Sequence, residues 1–108
     1  MSPREHHDSL RRYLRQLDEG SFYDAHETLE AIWFPRRFEE DKEMKLLKGF
    51  INAAVSFELI KRGRPEPSKR AWKNYLKYRP LLEEIVSGDT DFYHQMAAKV
   101  ESMRREHE

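Results

Sequence analysis

Apolar side chains recur along this chain at intervals of three and four, the period of an amphipathic helix. Leu10, Tyr13, Leu14 and Leu17 draw one stripe, which predicts a first helix over about residues 4–18, closed by Gly20. Ser21 suits the N-cap of a second helix, with Asp24 near its positive end. Its core face is Phe22, Ala25, Leu29, Ile32 and Trp33, and Pro35 ends it, because the residue before proline avoids helical geometry. After a charged connector, residues 40–62 read as a third helix that is apolar on nearly all sides through its middle. Such a helix belongs at the centre of a bundle. Only Lys48, Asn52 and Ser56 interrupt it, four apart, so they form a single polar line.

Gly63 closes the third helix, and residues 64–67 make a stiff turn. Ser68 is the expected cap of a fourth helix carrying Trp72, Tyr75, Leu76 and Arg79 on one face. Pro80 should kink that helix or restart it as far as residue 86. Ser87 and Gly88 stop it. Asp89 or Thr90 then caps a last helix with Phe92, Met96, Val100 and Met103 facing inward. The pattern predicts an all-α, single-domain antiparallel bundle of about five helices over residues 1–108, with the third helix buried at its centre.

Composition narrows the possibilities. Charged residues make up 37% of the chain against 38% hydrophobic, which is high for a globular protein. The 12% aromatic content supplies enough bulk for one thin core. Lys and Arg number 20 and so do Asp and Glu. Zero net charge argues against whole-molecule attraction to nucleic acid or anionic lipid. The absence of cysteine excludes disulfides, zinc–thiolate centres and thiol catalysis. The polar opening residues do not read as a signal peptide, and no apolar run is long enough to span a membrane, so a cytoplasmic protein is expected.

The segment richest in chemistry is Phe22-Tyr23-Asp24-Ala25-His26-Glu27-Thr28-Leu29-Glu30-Ala31-Ile32-Trp33. His26 and Glu30 are four apart, Glu27 and Glu30 three apart, and Tyr23 lies one turn before His26, so these groups cluster beside the apolar stripe. An imidazole and two carboxylates on one helix can ligate a divalent metal, act as an acid–base pair, or form a polar network that orders the core or shapes a small pocket. The last is the preferred reading: a non-enzymatic binding or interaction module needing no cofactor. In it, Glu30→Ala would cost about 1–3 kcal/mol if the group is buried and paired. The alternative is a divalent-metal site, with hydrolysis as an action open to it. There His26 and Glu30 are ligands, Glu27 is a nearby base, and Asn52 or Glu58 completes the set, with Lys48 opposing a cation.

The same residues, followed by Leu47-Lys48-Gly49-Phe50-Ile51-Asn52-Ala53-Ala54 and by Arg62-Gly63, resemble the bacterial family called domain of unknown function 309. That family carries a His-Glu-x-x-Glu-x-x-Trp helix and then a Leu-x-Gly-Leu-Ile-Gln-x-Ala helix ending near Arg-Gly-Asn. The resemblance covers about residues 20–65 and implies an all-helical fold but no activity. Its signature positions fall on His26, Glu27, Glu30, Trp33, Gly49 and Asn52. The chain departs from the pattern in three places. Asn52 replaces a glutamine, Arg64 replaces an asparagine, and Glu58-Leu59 stands where a histidine is expected. The resemblance further suggests that the Lys48, Asn52 and Ser56 seam pairs with His26, Glu27 and Glu30, and that Gly49 lets those two helices approach closely.

Other groupings weigh less. Residues 61–79 hold eight basic side chains, one acid and three aromatics, a mixture that can bind phosphate or nucleic acid. Lys69, Lys73 and Lys77 fall on one line and the aromatics mostly on another, which is the pattern of an ordinary amphipathic helix, so nucleic acid is not the expected partner. His6 and His7 should point to different sides and be solvated, and His94 has no assigned role. Trp72, Tyr75, Tyr78, Phe92 and Tyr93 offer more aromatic surface than a thin monomer should bury, which points to a homodimer through the last two helices.

Overall fold

A computed structural model describes residues 1–107. Five α-helices follow one another without strands among these residues: α1 Pro3–Asp18, α2 Phe22–Trp33, α3 Lys42–Lys61, α4 Pro65–Tyr78 and α5 Thr90–Arg105. Short 3-10 turns at Phe34–Arg36 and Arg79–Glu83 extend α2 and α4, each holding a proline in its first turn. None of the helices is long and apolar enough to cross a membrane.

Local chemistry accounts for most boundaries. Ser2 and Glu5 form a reciprocal capping box at the start of α1. Asp41 caps α3, its carboxylate accepting from the Glu43 and Met44 amides. Gly20 and Gly63 follow α1 and α3 with φ of +73°, a conformation glycine reaches without steric cost. Three expected caps are absent, that of α5 among them, since Asp89 precedes it without a side-chain cap bond. Ser21 precedes α2 without a side-chain cap bond. Ser68 lies inside α4, wholly buried, where its hydroxyl donates to the Ser56 carbonyl at 2.7 Å and accepts from Arg104 at 2.8 Å. Proline at N1 starts α4 four residues earlier than a Ser68 cap would.

The helices alternate in direction. Phe22 meets Phe57 and Trp33 meets Lys48, so α2 and α3 are antiparallel. Gly49 meets Tyr78 and Ser56 meets Ser68, so α3 and α4 are too. α5 then runs alongside α1 in the same sense, His6 meeting Tyr93 near one end and Asp18 meeting Lys99 near the other. α3 is the central helix, with ten of its twenty residues buried. Phe50 sits at its middle, with Tyr13 of α1, Tyr75 of α4 and Tyr93 of α5 around it at ring separations of 6.3, 5.6 and 6.1 Å. Each tyrosine also places its hydroxyl: Tyr13 donates to the Phe50 carbonyl at 2.7 Å, Tyr75 to Glu101 and Tyr93 to Glu43, both at 2.5 Å. Buried phenols need such partners.

This packing corrects two faces. Leu76 is half exposed and does not share the covered face of Trp72 and Tyr75. On α5 the buried positions are Tyr93, Met96, Ala97 and Val100, with Phe92 and Met103 only partly covered. Tyr75 and Tyr93 are wholly buried and Trp72 packs against the core. Much of the aromatic surface from which the sequence predicts a homodimer is therefore inside the monomer.

Candidate functional site

The spacing of three and four along α2 sets Tyr23, His26, Glu30 and Trp33 on one side of the helix. His26 Nε2 lies 2.6 Å from a Glu30 carboxylate oxygen, and His26 Nδ1 lies 3.7 Å from Glu27. The Tyr23 ring meets the imidazole edge-on with centroids 5.7 Å apart. The two carboxylates address opposite nitrogens of the ring, so the three groups radiate from the imidazole rather than converge on one point. Side-chain exposure is 21% for His26, 38% for Glu30 and 52% for Glu27. This is an oriented imidazole at the surface and not a buried network.

The seam on α3 does not face this cluster. Asn52 donates to the Lys48 carbonyl at 2.8 Å and its own carbonyl accepts from Asn74 of α4. Ser56 donates to the Ala53 carbonyl, while its backbone carbonyl takes the Ser68 hydroxyl. Gly49 does permit a close approach, but with α4: a Cβ there would lie 3.0 Å from Tyr78 Cβ and 3.6 Å from the Tyr75 carbonyl. Lys48 alone reaches α2, its ammonium 5.1 Å from the centre of the Trp33 ring. Tyr23, His26, Glu27 and Glu30 are thus brought together, Trp33 and Lys48 form a separate contact near the other end of α2, and Asn52 belongs to the α3–α4 seam.

What His26 does face is a groove of about 200 Å³ between α2 and α3, lined by Phe22, Tyr23, His26, Val55, Glu58, Leu59 and Arg62. Its walls are largely apolar, with His26 on one side and Glu58 on the other. Arg62 donates to Glu58 at 2.9 Å one turn along α3. Glu58, which stands where the resemblance leads one to expect a histidine, therefore shares the groove with His26.

A second polar centre lies apart from these helices' motifs. His6 Nε2 is 3.2 Å from a Glu43 carboxylate oxygen, 3.9 Å from Asp89 and 2.9 Å from the Tyr93 hydroxyl. His7 Nδ1 meets Asp89 at 2.8 Å, and its ring packs on Phe92. The expectation that His6 and His7 are solvated fails for His6, whose side chain is 15% exposed beneath α5 and the turn before it, while His7 keeps 41% of its side chain exposed. Burial alone would push the Glu43 carboxyl up, but hydrogen bonds from His6, Tyr93 and Ser87 outweigh it and hold the group below the ordinary carboxylate range. Burial and the Glu43 charge push the Tyr93 phenol well above its ordinary value. Residues 6, 43 and 89 are far apart in sequence, and no spacing rule joins them.

On α4, Lys69, Lys73 and Lys77 are exposed while Trp72 and Tyr75 face inward. Tyr78 is partly buried, with the Lys77 ammonium 5.3 Å from its ring centre. His94 is exposed.

Comparison with known proteins places these observations. An uncharacterized protein of Aquifex aeolicus (strain VF5) is 39% identical over 57 residues, which cover 53% of this chain and 16% of the Aquifex protein. No solved structure matches. The sequence profile of the family described as Domain of unknown function (DUF309) matches residues 10–78, which include both motif-bearing helices, and the chain belongs to that family.

Proposed function

We propose that the protein is a non-enzymatic binding module whose α2–α3 groove receives a side chain or small group with an apolar body and a polar end. The observation that carries this is the composition of the groove: Phe22, Val55 and Leu59 form its walls, and His26, Glu58 and Arg62 are the polar groups within reach. Glu30 hydrogen-bonds the imidazole at 2.6 Å, so its position is set before a ligand arrives, which lowers the ordering cost of binding. At about 200 Å³ the groove is smaller than the usual pocket for a free metabolite. It is matched to one side chain of a protein partner. That the matching segment is 16% of the longer Aquifex protein supports a module that works beside other parts.

Nuclear magnetic resonance tests this with the N-acetyl amides of phenylalanine, leucine and lysine as side-chain probes. Shifts are expected at Phe22, His26, Val55 and Leu59, and Val55→Trp should fill the groove and remove them without unfolding the protein. Absence of localised shifts with all three probes, or shifts that survive Val55→Trp, would refute the reading.

A further inference from the structure

The geometry points to a divalent-metal site formed by His6 of α1, Glu43 of α3 and Asp89 in the turn before α5. One ligand atom from each lies within 4.8 Å of the other two, and the three come from separate elements that meet only in the folded chain. A tetrahedral ion with bonds of about 2.1 Å needs ligand atoms about 3.4 Å apart. His6 Nε2 stands 3.2 Å from Glu43 and 3.9 Å from Asp89; an ion bound there takes the place of the proton that Nε2 shares with Glu43 and the Tyr93 hydroxyl at 2.9 Å, so binding releases a proton.

The surroundings are those of a held ligand set. Side-chain exposure is 15% for His6, 22% for Glu43 and 19% for Asp89. Tyr93 and Ser87 donate to Glu43, and His7 engages Asp89, contacts of the kind that orient carboxylate ligands. Among the described residues neither carboxylate is paired with a lysine or arginine; their ionic partners are the two imidazoles. Arg36 lies on the wall of the adjoining groove but is engaged with Glu39 and Asp41. That groove, about 220 Å³, opens beside the three ligands and leaves room for water to complete the coordination. One nitrogen and two carboxylate donors suit a first-row ion such as zinc, iron or manganese better than magnesium or calcium. His6 and Asp89 fall outside the stretch that matches the family, so the site is independent of the α2 motif.

Equilibrium dialysis of untagged protein against zinc, with cobalt as a spectroscopic substitute, tests the assignment. One ion per chain is expected, with a cobalt visible spectrum of a nitrogen–oxygen site. His6→Ala, Glu43→Gln and Asp89→Asn should each weaken zinc binding by roughly 10-fold or more, and His7→Ala should weaken it by roughly 10-fold to 100-fold through Asp89. His26→Ala should leave binding unchanged. Circular dichroism confirms that each variant is folded, and the wild type is itself decisive. Failure of the wild type to bind zinc or cobalt overturns the proposal. So does binding that survives Glu43→Gln and Asp89→Asn, which would assign the metal to the adjacent histidines alone, or binding that is lost in His26→Ala.

Discussion

Replacing Gly49 by alanine sets two effects of known sign against each other. Within a helix, alanine is favoured over glycine by about 1 kcal/mol, so on α3 alone the change would stabilise. The added Cβ, however, would lie 3.0 Å from Tyr78 Cβ on α4, where carbon atoms prefer about 3.5–4.0 Å. Tyr78 Cβ is fixed to the backbone, so no rotamer relieves the contact and α4 itself must move back by about half an ångström. That shift loosens the Ser68–Ser56 hydrogen bond and the packing of Tyr75 on Phe50. Overpacking of this kind costs about 1–3 kcal/mol. The expected net result is a loss of about 1 kcal/mol, a fall in Tm of roughly 4–8 °C for a chain of this size. Thermal unfolding followed by circular dichroism measures it. In a Tyr78→Gly background the opposing Cβ is gone, and Gly49→Ala should then stabilise, giving a coupling of opposite sign across the double-mutant cycle. A rise in Tm from Gly49→Ala in the wild-type background would show that α4 yields without cost and would refute the close-packing account.

Tyr13→Phe removes a fully buried hydroxyl that donates to the Phe50 carbonyl, and urea unfolding should show a loss of about 1–2 kcal/mol; an unchanged midpoint would mean that water replaces the bond. Glu30→Ala should cost about 1 kcal/mol or less, because the pair with His26 is partly exposed; a loss above about 2 kcal/mol would restore the buried-network reading of this cluster. Stability should fall in alkali. Burial pushes the Tyr13 phenol well above its ordinary value, and burial with the Glu101 hydrogen bond and charge does the same at Tyr75. Each raised phenol contributes stability that is complete below the unfolded value of about 10 and declines as pH rises past it. With Tyr93, whose phenol is raised as well, the three together should lose about 4 kcal/mol by pH ~11, and a denaturation midpoint that holds steady from pH ~9 to ~11 would contradict their burial.

Periodicity alone determined that the chain is helical, how many helices there are, and that the third lies at the centre. These follow from the local relation between side-chain spacing and helix face, and from glycine and proline at the ends. The motif on α2 was legible for the same reason: His26, Glu27 and Glu30 are neighbours on any helix that contains them. Which partner each face would meet was not legible. The polar line Lys48, Asn52 and Ser56 is visible in sequence, but its angular position relative to α2 and α4 depends on how three helices pack, and it turned out to serve α4. Leu76 reads as sharing a face with Trp72 and Tyr75 and is half exposed, while Tyr93 reads as surplus surface and is wholly buried, because a one-residue rotation of a helix stripe decides either outcome. The cluster of His6, Glu43 and Asp89 lies furthest beyond sequence. Its members are joined only when α5 folds back alongside α1 against the start of α3, and long-range closure of that kind leaves no trace in spacing.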